Sequence, residues 1–342
     1  MEKLEIVDRL RGAVRERGRA ELVIVTGTQG SSPRSAGAWM AALPDGAFAG
    51  TVGGGKVEGL AQREAAELLS SRCSRAVRYT MGGPSSDTGM ICGGSIDLLY
   101  LYMDATSLPV LDEAGEVLRT RGEGALVVDA SPLGEPAPDA PAHGAGSART
   151  CTGPLGIRIE RPVGPGAPVA GMAGGVYVEP LCPEGLAYIF GCGHVGRALA
   201  SALFAAGFAV VACDDRPEML APELVPHAAD RRLVDYADLA ATCPIGPRDL
   251  VVSATAGHAS DYEVVSQAMA AHPSYLGCLG SRRKTAFVRA RLGEDGFPPE
   301  EVERLHMPVG LPIHAETPEE IAVSIAAEMI AHRRTVIVPR PH

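Results

Sequence analysis

The residues that could do chemistry in this 342-residue chain gather in one glycine turn and three glycine-rich loops. The turn is Gly191-Cys192-Gly193-His194-Val195-Gly196. A G-x-G-x-x-G run suits a phosphate. Its first glycine makes a tight turn, its second lets the backbone approach the ligand, and its third lets a helix pack on the preceding strand. The helix that follows offers unpaired N–H groups and a partial positive charge to an anion. Asp214 or Asp215, some way downstream, stands where such folds read a ribose hydroxyl, and Arg216 follows.

The loops are residues 27–37, 53–55 and 89–94. Gly30, Ser31, Ser32 and Arg34 supply backbone donors, hydroxyls and one guanidinium, a group that reads planar oxyanions well. A structural salt bridge is the other reading of Arg34. Gly53-Gly54-Gly55 precedes a helix that carries Glu58, and a triple glycine there makes an anion nest. Cys92 lies in Ile91-Cys92-Gly93-Gly94, where close backbone approach suits a thiol that captures a metal or handles sulfur; the alternative is a small buried residue. His194 either sits beside a bound phosphate or merely fits the turn. His258 follows a strand at the edge where ligands of these folds lie, or is a loop histidine without a role. Ser281, Arg282, Arg283 and Lys284 open a helix, where the macrodipole disfavours each cation by roughly 0.3–1 kcal/mol. They point to an anionic ligand or acidic partner, or else form a solvated first turn. His272, His306 and His314 read as structural or solvent-facing.

Periodicity supplies the elements that must position these residues. Leu4, Val7, Leu10 and Val14 form a helical stripe, and strands are expected over 20–26, 39–43 and 47–52. A helix follows over 56–71, then strands over 75–80 and 95–102, a helix over 110–121 and a strand over 124–130. Residues 131–147 are rich in Pro, Ala and Gly and read as a loop, with short strands after it near 156–159 and 176–178. From 186 the chain alternates: strand 186–190, helix 197–206, strand 208–213, strand 248–255, helix 261–271, strand 274–279 and a helix to 292. Thr317-Pro318-Glu319-Glu320 starts a last helix, with Thr as cap and Glu three residues on. The fold class is α/β: an N-terminal α+β domain (1–104), intermediate strands and a linker (105–184), and a C-terminal Rossmann-like domain with a parallel sheet (185–342).

Composition narrows the function classes. The chain is 46% hydrophobic and 21% charged, with a net charge of −10. That charge argues against a nucleic-acid partner, because phosphate binding needs a basic field. No apolar run reaches the roughly 18 residues of a membrane-spanning helix, and a cytoplasmic location is expected. The eight cysteines show neither C-x-x-C nor zinc spacing, so most read as buried thiols in a reduced compartment. Only Cys92 and Cys192 fall in glycine turns, and Cys192 with His194 is expected to face the cleft beside its turn.

Taken together, the motifs resemble the XdhC/CoxI family, accessory factors of xanthine dehydrogenase and related molybdenum hydroxylases. The first half carries G-T-Q-G-S-S-P-R-S-A-G-A-W-M (27–40), G-T-V-G-G-G-K-V-E (50–58) and G-M-I-C-G-G (89–94). The second carries I-F-G-C-G-H-V-G-R-A-L-A (189–200), D-D-R-P-E (214–218), Y-L-G-C-L-G-S-R-R-K (275–284), P-V-G-L-P-I (308–313) and A-E-T-P-E-E-I-A-V-S-I-A-A-E (315–328). The resemblance implies a non-enzymatic chaperone. It would bind molybdenum cofactor (molybdopterin), hold it while a cysteine desulfurase helps place the sulfido ligand, and deliver it to an apo molybdenum hydroxylase. Gly30, Ser31, Ser32, Pro33, Arg34, Gly53, Gly54, Gly55, Glu58 and Cys92 fall on the family's N-terminal motifs. Gly191, Gly193, His194, Asp214, Arg216, Gly280, Ser281 and Arg282 fall on the C-terminal ones. The chain departs from the pattern at His314, where many relatives have glycine, and at Thr255-Ala256-Gly257-His258, where many have a T-H-D-type stretch. The competing readings are an NAD(P)-dependent oxidoreductase using His194 or His258 as acid/base, and a nucleotide-sensing regulator. A homodimer is compatible with each.

Overall fold

The computed structural model describes residues 2–30, 36–81, 94–134, 150–161, 170–181 and 185–337. The chain divides into two compact units, Met1–Pro183 and Glu184–Pro339, each taken by itself below.

In the first unit α1 (Glu2–Arg17) precedes a long strand β1 (Ala20–Gly30), followed by β2 (Trp39–Ala42), β3 (Phe48–Gly50), α2 (Gly55–Ser71), β4 (Cys73–Met81) and β5 (Gly94–Met103). Then come α3 (Leu108–Thr120), β6 (Ala125–Asp129), β7 (Thr150–Thr152), β8 (Gly156–Glu160), β9 (Gly171–Ala173) and β10 (Val176–Pro180). Among the described residues these strands make an antiparallel sheet ordered β3-β2-β1-β5-β4-β7 and a second ordered β8-β6-β10-β9. The period of two along β1 sorts its side chains onto two cores. Leu22 and Ile24 join Ile6, Leu10 and Val14 of α1, whereas Val23 and Val25 join Val57, Ala61, Ala65 and Leu68 of α2.

Glu21 has the same parity as Val23 and Val25. Its side chain is fully buried, and neither carboxylate oxygen has a hydrogen-bond partner among the described residues. Burial, with smaller contributions from Cys73 and Glu64, raises its pKa well above the carboxylate range.

In the second unit β11 (Ala187–Phe190), α4 (His194–Ala205), β12 (Val210–Asp214), β13 (Asp230–Leu233), β14 (Leu250–Ser253), α5 (His258–Ala270) and β15 (Tyr275–Cys278) precede α6 (Arg282–Glu294), α7 (Pro299–Glu303) and α8 (Pro318–His332). The five strands are parallel and ordered β13-β12-β11-β14-β15, so the order reverses between β11 and β14. Loops at the carboxyl ends of the two strands flank that reversal, which is where open parallel sheets bind ligands. The expected capping box of α8 is present. Thr317 Oγ1 accepts from Glu320 N at 3.2 Å, and the Glu320 carboxylate accepts from Thr317 N at 3.0 Å.

Several features differ from the sequence reading, and β7, β9 and α7 have no expected counterpart. α4 begins at His194, three residues earlier than expected, so the last glycine of the motif lies inside the helix. α5 likewise starts at His258. β13 has no counterpart among the expected strands: Asp230-Arg231-Arg232-Leu233 is polar because it is an edge strand with no buried face to fill. Among the described residues no helix is long and apolar enough to cross a membrane.

Glu21 gives the first unit a pH-dependent stability. Its folded-state pKa is raised, so the unfolded chain loses this proton first. Stability therefore falls, by up to about 1.4 kcal/mol per pH unit, as pH rises from the unfolded value near ~4.3 toward the folded one. Glu21→Gln removes that slope. The variant should melt higher than wild type at pH 8 and the difference should vanish near pH 4, as read by calorimetry. Parallel melting curves across that range would mean that Glu21 is not held protonated.

Candidate functional site

The glycine turn after β11 combines close packing on one side with open space on the other. Gly191 has φ +99, and a Cβ there would lie 2.4 Å from the carbonyl oxygen of Ala254. A Cβ at Gly196 would lie 1.9 Å from the Gly191 carbonyl oxygen, so α4 can sit this close to the turn only with glycine there. Gly193 is different. No atom of the protein lies within 4 Å of where its Cβ would be, so the fold itself does not require glycine at that place. No side chain caps α4, and the first backbone N–H groups of a helix have no partner within it. His194 is exposed at this helix start.

A buried carboxylate holds the turn from below. Asp214, at the end of β12, has a fully buried side chain. Its Oδ2 accepts from the Cys192 amide at 2.7 Å and from Arg216 Nη2 at 3.2 Å. Its Oδ1 accepts from the Arg216 amide and from Arg216 Nε, both at 3.0 Å. Burial pulls the Asp214 pKa upward, but the hydrogen bonds from Arg216 and Cys192 outweigh it and leave the carboxyl below its ordinary value. An ionised carboxylate offers about four lone-pair positions. Asp214 has all of them filled from within the chain, and this leaves the half-exposed Asp215 as the acidic side chain open to a ribose hydroxyl. Arg216 pairs with Asp214 and lies 3.6 Å from Asp215.

Cys192 does not face a cleft as expected. It is buried, its Sγ donates to the Cys213 carbonyl at 3.6 Å, and burial pushes its thiol up to about 12.

On the other flank of the reversal, Asp261 of α5 accepts from Ser253 Oγ at 2.6 Å and from the Thr255 amide at 3.2 Å, and it is paired with Lys284. Lys284 also donates to the Leu279 carbonyl at 3.1 Å. The three cations that open α6 thus divide: Lys284 turns into the fold, while Arg282 and Arg283 are exposed. Ser281 caps α6 by accepting from the Lys284 amide at 3.3 Å. His258 is the first residue of α5, and its side chain lies outside what the structure describes. Gly191, Gly193, His194, Gly196, Asp214, Arg216, His258, Ser281 and Arg282 therefore all belong to the carboxyl edge of one sheet.

In the first unit Gly53, Gly54 and Gly55 have φ values of +141, +79 and +63 and lead into α2. Glu58, in the first turn of that helix, points back into the nest. Its carboxylate accepts from the Gly54 amide at 2.7 Å and from the Thr51 hydroxyl, and the same hydroxyl accepts from the Gly53 amide at 3.1 Å. The nest is thus already filled by an anion of the chain itself. Gly30, at the end of β1, stands opposite Gly94 at the start of β5. Ser31, Ser32, Arg34 and Cys92 lie outside the described residues, and among those that are described no group of three or more His, Cys, Asp or Glu could hold a metal ion.

Comparison with known proteins gives the same two-part division. The sequence model of the XdhC and CoxI family matches residues 13–80, and that of the XdhC Rossmann domain matches residues 187–329. The chain belongs to the XdhC and CoxI family. It is 26% identical over 319 residues to the molybdenum cofactor insertion chaperone PaoD of Escherichia coli, covering 92% of this chain and 83% of that protein. It is 32% identical to a probable xanthine dehydrogenase subunit from Bacillus subtilis, over 48% of this chain and 47% of that one. The chain spans less than half the length of two of the curated relatives it matches. A crystal structure described as a xanthine dehydrogenase from Bacillus halodurans superposes with a TM-score of 0.75 at 24% identity, covering 98% of this chain and 97% of that one, and so has the same fold.

One of the two expected departures from the family pattern has a physical account. His314, where the resemblance leads one to expect glycine, adopts φ +59 and is exposed. The position demands the left-handed conformation that glycine takes without steric cost, and histidine there costs roughly 1–2 kcal/mol. Sequence reasoning also missed the buried pair Asp261–Lys284, because Lys284 looked like the third of three equivalent cations.

Two substitutions separate the roles of the glycines in this family member. Gly196→Ala should lower the melting temperature of the second unit by several degrees, because its methyl has no room. Gly193→Ala should leave the melting curve unchanged and weaken binding of an anionic ligand at the turn. Equal stability loss in both would refute the division. Asp214→Ala should cost about 3 kcal/mol in denaturant unfolding, from charge-assisted bonds lost to buried donors, and should speed exchange of the Cys192 amide. An unchanged exchange rate at Cys192 would remove Asp214 as the support of the turn.

Proposed function

We propose that this chain is a maturation factor that binds molybdenum cofactor and passes it to a xanthine dehydrogenase-type molybdenum hydroxylase. The observation that carries the reading is the extent of the likeness to the insertion chaperone, which takes in 92% of the chain and so includes both units. A dinucleotide-dependent enzyme would owe its likeness to the Rossmann unit alone.

The chemistry supports the same role. The cargo carries a phosphate, a pterin and a dithiolene. Gly30, Ser31, Ser32 and Arg34 offer N–H groups, hydroxyls and a guanidinium to the phosphate, and Cys92 offers a soft ligand to molybdenum or its sulfur. In the Rossmann unit the uncapped start of α4 and the open side of Gly193 suit the phosphate of a nucleotide, whether that of the cargo or of a separate NAD(P). The saturated Asp214 has no acceptor capacity left for a ribose, so an NAD(P)-dependent enzyme would have to use Asp215 instead. A cysteine desulfurase as sulfur donor, a cytoplasmic location and a homodimer complete the proposal.

The test is to purify the protein from cells that make molybdenum cofactor and measure the fluorescence of the oxidised pterin it carries. Wild type should carry pterin. Cys92→Ala and Arg34→Ala should carry several-fold less with unchanged melting temperatures. Tight NAD(P) binding with no pterin in any sample would overturn the carrier role, and full retention in Arg34→Ala would take that residue out of the site.

A further inference from the structure

Cys213 is the fourth residue of β12 and stands in register between Phe190 of β11 and Arg232 of β13. Cys243 comes 30 residues later, in the segment that leads from β13 to β14. The fold brings the two sulfurs to 3.6 Å from one another inside a buried cluster that includes Tyr188, Tyr236 and Leu239. Neither thiol belongs to the candidate ligand site, and neither is bound in a disulfide.

The surroundings make the two sulfurs unequal. Cys243 receives a weak hydrogen bond from Thr242 Oγ1 at 3.9 Å. The guanidinium of Arg232 lies over the Tyr188 ring at 5.6 Å and donates to the Thr242 carbonyl at 2.8 Å, which fixes a positive charge near Cys243. The contact with Cys213, together with Thr242 and Arg232, holds the Cys243 thiol below its ordinary value, while the same contact and burial raise that of Cys213. Cys243 is therefore the thiolate-forming sulfur and Cys213 the proton-bearing neighbour.

We infer that Cys213 and Cys243 form a dithiol that closes to an intrachain disulfide on reaction with hydrogen peroxide, and that closure changes the glycine turn. In the first step the Cys243 thiolate attacks one oxygen of the peroxide. The O–O bond breaks, the other oxygen leaves as hydroxide and is protonated to water, and Cys243 becomes a sulfenic acid. In the second step the Cys213 sulfur attacks the Cys243 sulfur, the S–O bond breaks, and a second water leaves with the proton from Cys213. Two thiols are oxidised by two electrons and one peroxide is reduced to two waters. A disulfide has its sulfurs about 2.05 Å apart, so the two residues must draw together by roughly 1.5 Å from the present 3.6 Å.

The link to the turn is covalent and short. Asp214 follows Cys213 directly and holds the Cys192 amide, and Cys192 Sγ donates to the carbonyl of Cys213 itself. A shift of Cys213 toward Cys243 pulls on both bonds.

The experiment treats the purified full-length chain with hydrogen peroxide, alkylates the remaining thiols and maps its peptides by mass spectrometry. The expected product is a linked pair of peptides holding Cys213 and Cys243, lighter by two hydrogens and restored by dithiothreitol. Cys243→Ser and Cys213→Ser should each abolish it, and the wild-type map decides the matter even where a variant folds poorly. Hydrogen exchange across residues 191–197 should quicken at least several-fold in the oxidised form. Alkylation of both cysteines after peroxide treatment, or linkage through other cysteines instead, would overturn the disulfide. Unchanged exchange in the linked form would overturn its coupling to the turn.

Discussion

A carboxylate taken out of water costs several kcal/mol unless donors surround it. Asp214 meets that condition with four hydrogen bonds, one of which comes from the amide of Cys192. The rest of the second unit's ligand edge depends on this interaction. It ties the end of β12 to the turn after β11 and fixes where that turn leaves the sheet. The N–H groups at the start of α4 are left for something outside the chain. The same bonds deny Asp214 the role its position in the motif first suggests. A residue at the ribose-reading place has become a support of the phosphate-reading place.

The first unit solves the equivalent problem differently. The glycines before α2 also gather N–H groups at a helix start, but there the chain supplies its own anion. Glu58 takes the Gly54 amide and the Thr51 hydroxyl, so an incoming phosphate would meet a carboxylate of like charge. In water-excluded surroundings such a meeting is strongly unfavourable. A ligand phosphate at this nest has to displace Glu58, whereas one at α4 has no such competitor. Two glycine turns that look alike as sequence are therefore unlike as sites.

What could be read in the sequence was whatever rests on period and local turn chemistry. The apolar run of β1, the stripe of α1, the βαβ frame around Gly191–Gly196 and the capping box at Thr317 all depend on neighbours in the chain. What could not be read depends on partners far away. β13 has no hydrophobic period because an edge strand with exposed faces needs none. α4 and α5 start earlier than their apolar stripes because helix geometry at an N-terminus is set by the turn, not by burial. Nothing in the spacing of eight scattered cysteines distinguishes Cys213 and Cys243, which meet only because the chain returns to β12. Glu21 interrupts the apolar run of its strand, and that interruption was the available signal of a buried acid. The role of Asp214 was half legible: its position in the motif was plain, but its direction was not.

The two flanks of the sheet reversal follow one logic. On one side Asp214 and Arg216 anchor the turn after β11, and on the other Asp261 and Lys284 anchor the loop after β14. In each pair the acid is buried and its cation is drawn from a helix start or loop that would otherwise present it to a ligand. The backbone at the reversal is thereby fixed before any ligand arrives, which lowers the ordering cost of binding. The polar side chains that remain outward there, His194, Asp215, Arg282 and Arg283, are exposed, and contacts through solvated side chains are weak. In the proposed carrier, a rigid frame of N–H groups surrounded by solvated side chains would recognise an anion by its shape and let it go again. Release is the property a carrier needs and a tightly held redox cofactor does not.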